Sequence, residues 1–223
     1  MASNPVYDVD PGFLDDHRLA AQMRLLVGLV TSRSRPHPEH YPTVWVGYED
    51  ALSLRLNQTI GELRLRGLAT PEPVALTDES ILWPALDRDR LRQQLQDVAA
   101  GPPGRIRLPR NDHELWATYK YAVLARNQNS YSRIGQRVAA RSFPLEQLWP
   151  SLINATHVPP QEEGLRNALQ HMWGYVSRHS TVNPQGGSLP DLLREVQQLA
   201  VAHEVSYLLN STALGEFAAW LER

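Results

Sequence analysis

The sequence predicts an all-α protein, a bundle of several helices. Three observations carry this. Apolar residues recur at helical spacing in stretches of ten or more residues. No stretch of useful length alternates apolar and polar residues with the period of a strand. Proline and glycine punctuate the chain at intervals that leave helix-length segments between them.

The first element runs from Leu14 to Val30, with Leu14, Leu19, Met23, Leu26 and Val30 at near-helical spacing. Asp15 and Asp16 fall in its first turn, where carboxylates suit the positive end of the helix dipole. Thr31 to Pro42 reads as a loop rich in arginine, proline and histidine. A second long helix spans Trp45 to Arg66, with Gly67 as its stop. Ala69 to Thr77 is a proline-containing connector, and Asp87 to Ala100 a short polar helix.

Gly101-Pro102-Pro103-Gly104 breaks the chain. It divides a first unit, residues 1–100, from a second, residues 104–223, and the two are expected to pack as one body. Asp112 is the expected cap of a helix from His113 to Arg126. Further helices are expected at Ser130–Ala140, Leu145–Asn154, Glu162–Arg178, Leu189–Leu209 and Thr212–Leu221. Pro159-Pro160 and Pro184-Gln185-Gly186-Gly187 serve as linkers.

Composition narrows the function classes. The chain has no cysteine, which excludes disulfides, thiolate catalysis and cysteine-bound zinc. No apolar run approaches the length of a membrane span. The first residues lack the basic-then-apolar layout of a signal peptide, so the expected compartment is the cytoplasm. The net charge of −2 argues weakly against duplex DNA, whose phosphates favour a basic partner. The basic residues are nearly all arginine, and Lys120 is the one lysine.

The run Val6-Tyr7-Asp8-Val9-Asp10-Pro11-Gly12, continued by Phe13-Leu14-Asp15-Asp16, resembles the start of the endonuclease V-like pyrimidine-dimer DNA glycosylases. His37-Pro38-Glu39, Trp45-Val46-Gly47 and Arg64-Leu65-Arg66-Gly67 follow in the family's order. From Gly104 the chain resembles a helical domain of unknown function that accompanies these glycosylases. That likeness rests on Leu115 to Arg126, Tyr131 to Gly135 and Asn167 to Tyr175.

The resemblance implies imine chemistry by an N-terminal amine, assisted by a glutamate in a helical His-Arg-Glu-x-His cluster. The matching positions here are Met23, Arg24, Leu25 and Val27, and only the arginine agrees. The amine position falls at about Pro5, whose nitrogen is locked in a peptide bond. Neither the nucleophile nor the proton carrier of that reaction is therefore in place.

The three replacements are apolar, which either makes a pocket that suits a small organic ligand better than a phosphate backbone or closes the groove into core. The expectation is a repurposed relative that binds and transforms an apolar small molecule, as a cyclase- or isomerase-like enzyme of biosynthesis without cofactor or metal. The alternative is a DNA-repair glycosylase/lyase, or a lesion binder without catalysis. Arg24 and Tyr7 are the candidate catalytic residues. Met23, Leu25, Val27, Arg18, Trp45 and Lys120 are the candidate substrate contacts.

Other groups admit structural readings beside functional ones. Lys120, among Trp116, Tyr119 and Tyr121, is a candidate Schiff-base amine or a lysine lying along an aromatic face. His113, His171 and His203 lack metal-ligand spacing. Asn167, His171 and Tyr175 share one helix face, a ligand wall or an inter-helix network. Arg24 holds a ligand anion or pairs with Asp8 or Glu49. Arg33, Arg35, His37 and His40 form a basic loop.

Overall fold

The computed structural model describes residues 6–32, 43–76 and 81–221. The basic loop, the His37-Pro38-Glu39 element and Pro5 lie outside them. The described residues form helices and no strand, so the protein is all-α, a multi-helix bundle. Its α-helices are α1 (Asp16–Thr31), α2 (Glu49–Leu65), α3 (Arg88–Ala100), α4 (Asp112–Leu124), α5 (Gln128–Ala139), α6 (Leu145–Thr156), α7 (Glu162–Trp173), α8 (Leu189–Ala202), α9 (Ser206–Leu209), α10 (Ala213–Glu216) and α11 (Ala218–Leu221). Short 3-10 turns cover Pro11–Phe13, Thr43–Trp45 and Ser177–His179.

Helix ends follow local chemistry. Asp15 caps α1 by accepting from the Arg18 amide at 3.0 Å. Gly67, at φ 71°, ends α2, and the Leu68 amide reaches back to the Leu63 carbonyl at 2.9 Å. Asn111, not Asp112, caps α4 by accepting from the Glu114 amide at 2.9 Å; Asp112 is the first helical residue.

Four expected helices are shorter than their periodicity. Gly47, at φ 84°, separates the Trp45 turn from α2, which starts at Glu49. The segment from Glu162 breaks at Gly174 into α7 and a 3-10 turn. The segment from Leu189 breaks where Glu204 adopts φ 49° and the Val205 amide closes onto the Ala200 carbonyl at 2.9 Å. Phe217 divides the last segment into α10 and α11. A change of direction costs little apolar periodicity, so such breaks leave a weak sequence trace.

Helix α2 organises the molecule. Ala51 to Leu63 are all buried. Leu19, Gln22, Leu26, Leu29 and Val30 turn the inner face of α1 toward the interior, and α10 and α11 return the far end of the chain onto α2. There the backbones meet: a β-carbon added at Gly61 would lie 2.7 Å from the Gly215 carbonyl oxygen.

One apolar cluster joins Tyr7, Val9, Phe13, Leu14 and Leu19 to Leu115, Tyr119, Val123 and Trp149. It draws on both sides of the Gly101–Gly104 break. Gly104 itself rests on the backbone of Gly12 to Leu14, where a β-carbon would come within 2.6 Å.

Candidate functional site

A helix buried on every side must find interior partners for its polar residues. On α2 those residues are Ser53, Arg55, Asn57, Gln58, Thr59 and Glu62, all buried. Arg55, Gln58 and Glu62 are three and four residues apart and share a face. The candidate site is built on that face.

Arg55 donates to the carbonyls of Val9 and Asp8 at 3.3 and 3.2 Å. Its guanidinium lies 5.2 Å from the Trp83 ring centre, a cation–π distance. Trp83 stacks on His157 at 4.1 Å with the rings 3° apart, and Trp45 meets Trp83 edge-on at 6.2 Å. The segment carrying His157 is clamped by Arg126, which donates to the carbonyls of Thr156 and Val158 and pairs with Glu216. Arg105 grips Glu62 through two bonds, at 2.9 and 2.7 Å.

Several polar atoms on these residues have no hydrogen-bond partner among the described residues. They are Nε of Arg55, Oε1 of Gln58, Nε1 of Trp83, the Tyr119 hydroxyl, which lies beside the Asp10 backbone, and Oε2 of Glu216. Three can donate and two can accept.

The titrating groups are strongly perturbed. Burial, reinforced by Glu62 and Glu216, pushes the Asp10 carboxyl up to about 7. The residue is half-buried, and its carboxyl accepts from the Gly12 amide at 2.8 Å. Burial raises the Tyr119 hydroxyl well above its usual value, with Asp10 adding to the effect. It holds His157 down to about 3, helped by Arg55 and Arg126. Near neutral pH the site therefore presents a neutral imidazole, a neutral phenol, a guanidinium and a carboxyl poised between its two forms.

The candidate residues from the sequence fall in three places. On α1, Leu26 faces inward, Met23 and Val27 flank it on one side and Leu25 on the other. Arg24 points outward and is exposed. The three apolar residues thus pack against the core from two flanks, and Arg24 is not beside them. Asp8, one proposed partner of Arg24, instead pairs with Arg90 at 2.7 Å.

Tyr7 and Arg18 do meet, at Asp97. The Tyr7 hydroxyl donates to Asp97, and Arg18 pairs with Asp97 at 3.1 Å and with Asp15 at 2.5 Å. Burial, then Asp97, pushes the Tyr7 hydroxyl up to about 12, so it stays neutral. Trp45 is the one candidate that touches the α2 site, through Trp83.

Lys120 lies elsewhere, its Nζ 4.7 and 4.9 Å from the ring centres of Tyr121 and Tyr207. Asn167 and His171 are exposed, and Tyr175, half-exposed, stacks on Tyr207 at 4.6 Å. His203 stacks on His179 at 3.6 Å, and no group of three metal-ligating side chains occurs among the described residues.

Sequence reasoning missed Asp10, Arg55, Gln58, Trp83, Tyr119 and Glu216 as site residues. One signal was present. Leu52, Leu56, Ile60 and Leu63 share one face of α2 while Leu54 and Ala51 lie on the other side, a trace of burial on more than one face. Charges on those faces must be interior.

Fold and site together define an all-helical protein with a buried, aromatic-walled polar site around one central helix. Among protein families, the model of a protein family of unknown function, DUF1722, matches residues 120–186. That segment carries Arg126 and His157 of the site. No curated protein and no solved structure matches the chain. The family match corrects the resemblance drawn from residues 6–68. It names a family of unknown function, its matched segment lies wholly outside those residues, and nothing supports an endonuclease V-like family.

Proposed function

We propose that the protein binds a largely apolar small organic molecule at the polar face of α2 and transforms it, in an isomerase- or cyclase-like role. The observation that carries this reading is the set of buried polar atoms without protein partners on Arg55, Gln58, Trp83, Tyr119 and Glu216. Folded proteins rarely leave such atoms unmet, and each one costs about 1–3 kcal/mol. Each would gain a partner from a ligand seated among them. An apolar wall with a few polar groups is the usual make-up of a small-molecule site. Trp45, Trp83 and His157 supply the wall.

The ligand's chemistry follows from the donors and acceptors. A carbonyl or oxyanion oxygen suits Nε of Arg55, Nε1 of Trp83 and the Tyr119 hydroxyl. A hydroxyl or N–H suits Gln58 and Glu216. A flat apolar body suits the tryptophans.

Calorimetric titration with 2-tetralone, 2-indanone and 1-naphthol tests the reading. At least one of the three should bind wild-type protein. Tyr119→Phe should weaken that binding about 5- to 30-fold, the loss of one buried hydrogen bond. No binding of any of the three, together with salt-sensitive binding of duplex DNA, would sink it.

A further inference from the structure

Helices α2 and α8 wall a groove on the opposite side of the chain's last helices from solvent-free core. Both pack against α10 and α11, and Ala218 of α11 lines the groove between them. A methyl group is all that rises from that position, so a volume of about 590 Å³ stays open. This lies in the range of small-molecule sites. None of the lining side chains belongs to the interior polar face of α2 described above.

The α8 wall is one helix face. Arg194, Gln197, Gln198, Val201 and Ala202 line the groove at i, i+3, i+4, i+7 and i+8. The stripe is about 12 Å long at 1.5 Å per residue, and its polarity is graded, from a guanidinium through two amides to an apolar end. Val201 at that end is 48% exposed, unusual for a large apolar side chain on a helix that also buries Leu192, Leu193 and Val196. The facing wall is the last turn of α2, with Arg64 and Leu65, followed by Arg66.

The groove is lined by three arginines and no acidic side chain. Arg66 is committed inward, to Glu62, to Asp16 and to the Leu14 carbonyl at 2.8 Å. The other two sit at the surface. Arg64 pairs with Glu72 at 3.2 Å, and Arg194 pairs through Nη1 with Asp191 at 2.7 Å. Both acids are well exposed, and exposed pairs of this kind contribute little, so a ligand anion can replace them at small cost.

We propose that this groove binds a medium-chain alkyl carboxylate. Its carboxylate pairs with the Arg194 guanidinium, in the forked geometry that arginine offers to such groups. Its chain runs along α8 and covers Val201 and Ala202, with Leu65 and Ala218 across from them. Arg64 on the facing wall adds positive potential. The two features of the groove, cations without acids and a graded apolar stripe, each match one half of that molecule.

Calorimetric titration of the full chain with decanoate, below its micelle concentration, tests the proposal. Wild type should bind one decanoate, more weakly as salt is raised. Decan-1-ol, which keeps the chain, and butyrate, which keeps the head, should each bind about 10-fold more weakly or worse. Arg194→Glu and Val201→Asp should each weaken decanoate binding about 10-fold or more. Both side chains are exposed, and circular dichroism confirms that the variants are folded. Arg133→Glu, an exposed arginine of α5 outside the groove, should leave the affinity unchanged. Tyr119→Phe should leave it unchanged as well, which separates this groove from the interior site. No binding by wild type, or equal loss in Arg194→Glu and Arg133→Glu, overturns the proposal; loss in Tyr119→Phe alone moves the ligand to the interior and overturns it too.

Discussion

Asp10 and His157 are shifted in opposite senses by the same burial, and their effects on stability oppose each other. The folded-state value of Asp10, about 7, exceeds that of an unfolded aspartate. Its contribution is therefore complete below about pH 4 and is lost as pH rises through 7. The folded-state value of His157, about 3, lies below that of an unfolded histidine. Its contribution is present above about pH 6.5 and is lost as pH falls toward 3. Between pH 5 and 6.5 the two slopes partly cancel. Asp10→Asn should expose the His157 slope, so that melting temperature rises with pH in that window relative to wild type. His157→Gln should do the reverse. Melting curves at half-unit steps of pH check both, and parallel profiles for all three proteins would contradict the burial of these groups.

At the scale of the element, α2 depends on two contacts that admit no side chain. Gly61 meets the Gly215 carbonyl, and a β-carbon at Gly215 would lie 2.5 Å from Oε2 of Glu62. Gly61→Ala must push α10 away and should cost about 1–3 kcal/mol. A urea denaturation midpoint shifted by that amount, with unchanged slope, is the expected result. Gly28→Ala on α1 is the control, because nothing lies within 4 Å of the added carbon.

The helices themselves were legible in the sequence for a local reason: caps and stops act within a few residues. Gly67 and the break at Gly101–Gly104 could be read directly, whereas Asp15, expected in the first turn of α1, is its cap. The cap of α4 was misplaced by one residue because Asn111 and Asp112 are both competent caps. The site was not legible. It depends on positions 10, 55, 83, 119, 157 and 216, which no periodicity relates, and they meet only because α2 is surrounded. Met23, Leu25 and Val27 all pack against one apolar cluster, Met23 and Val27 from one flank of α1 and Leu25 from the other.

For the whole molecule, the interior ion pairs tie distant parts of the chain together. Glu62 joins α2 to Arg105, and Glu216 joins α10 to Arg126 and, through it, to the segment around His157. Breaking a buried pair from one side costs about 3–5 kcal/mol, because the remaining charge is stranded. Glu216→Gln should lower stability by that order. The loss should appear as a shift of one calorimetric transition, since a single apolar cluster spans both sides of the chain break. Two separate transitions, with only the later half responding to Glu216→Gln, would show that the halves melt independently.

Lys120 gives the protein a practical property. Acylating reagents will find one side-chain amine in this sequence, on α4 and adjacent in sequence to Tyr119. A fluorophore attached there would displace an ammonium from two phenol rings and occupy a known place on the helix that supplies the site's hydroxyl. Occupancy of the interior could then be followed by emission, on unmutated material.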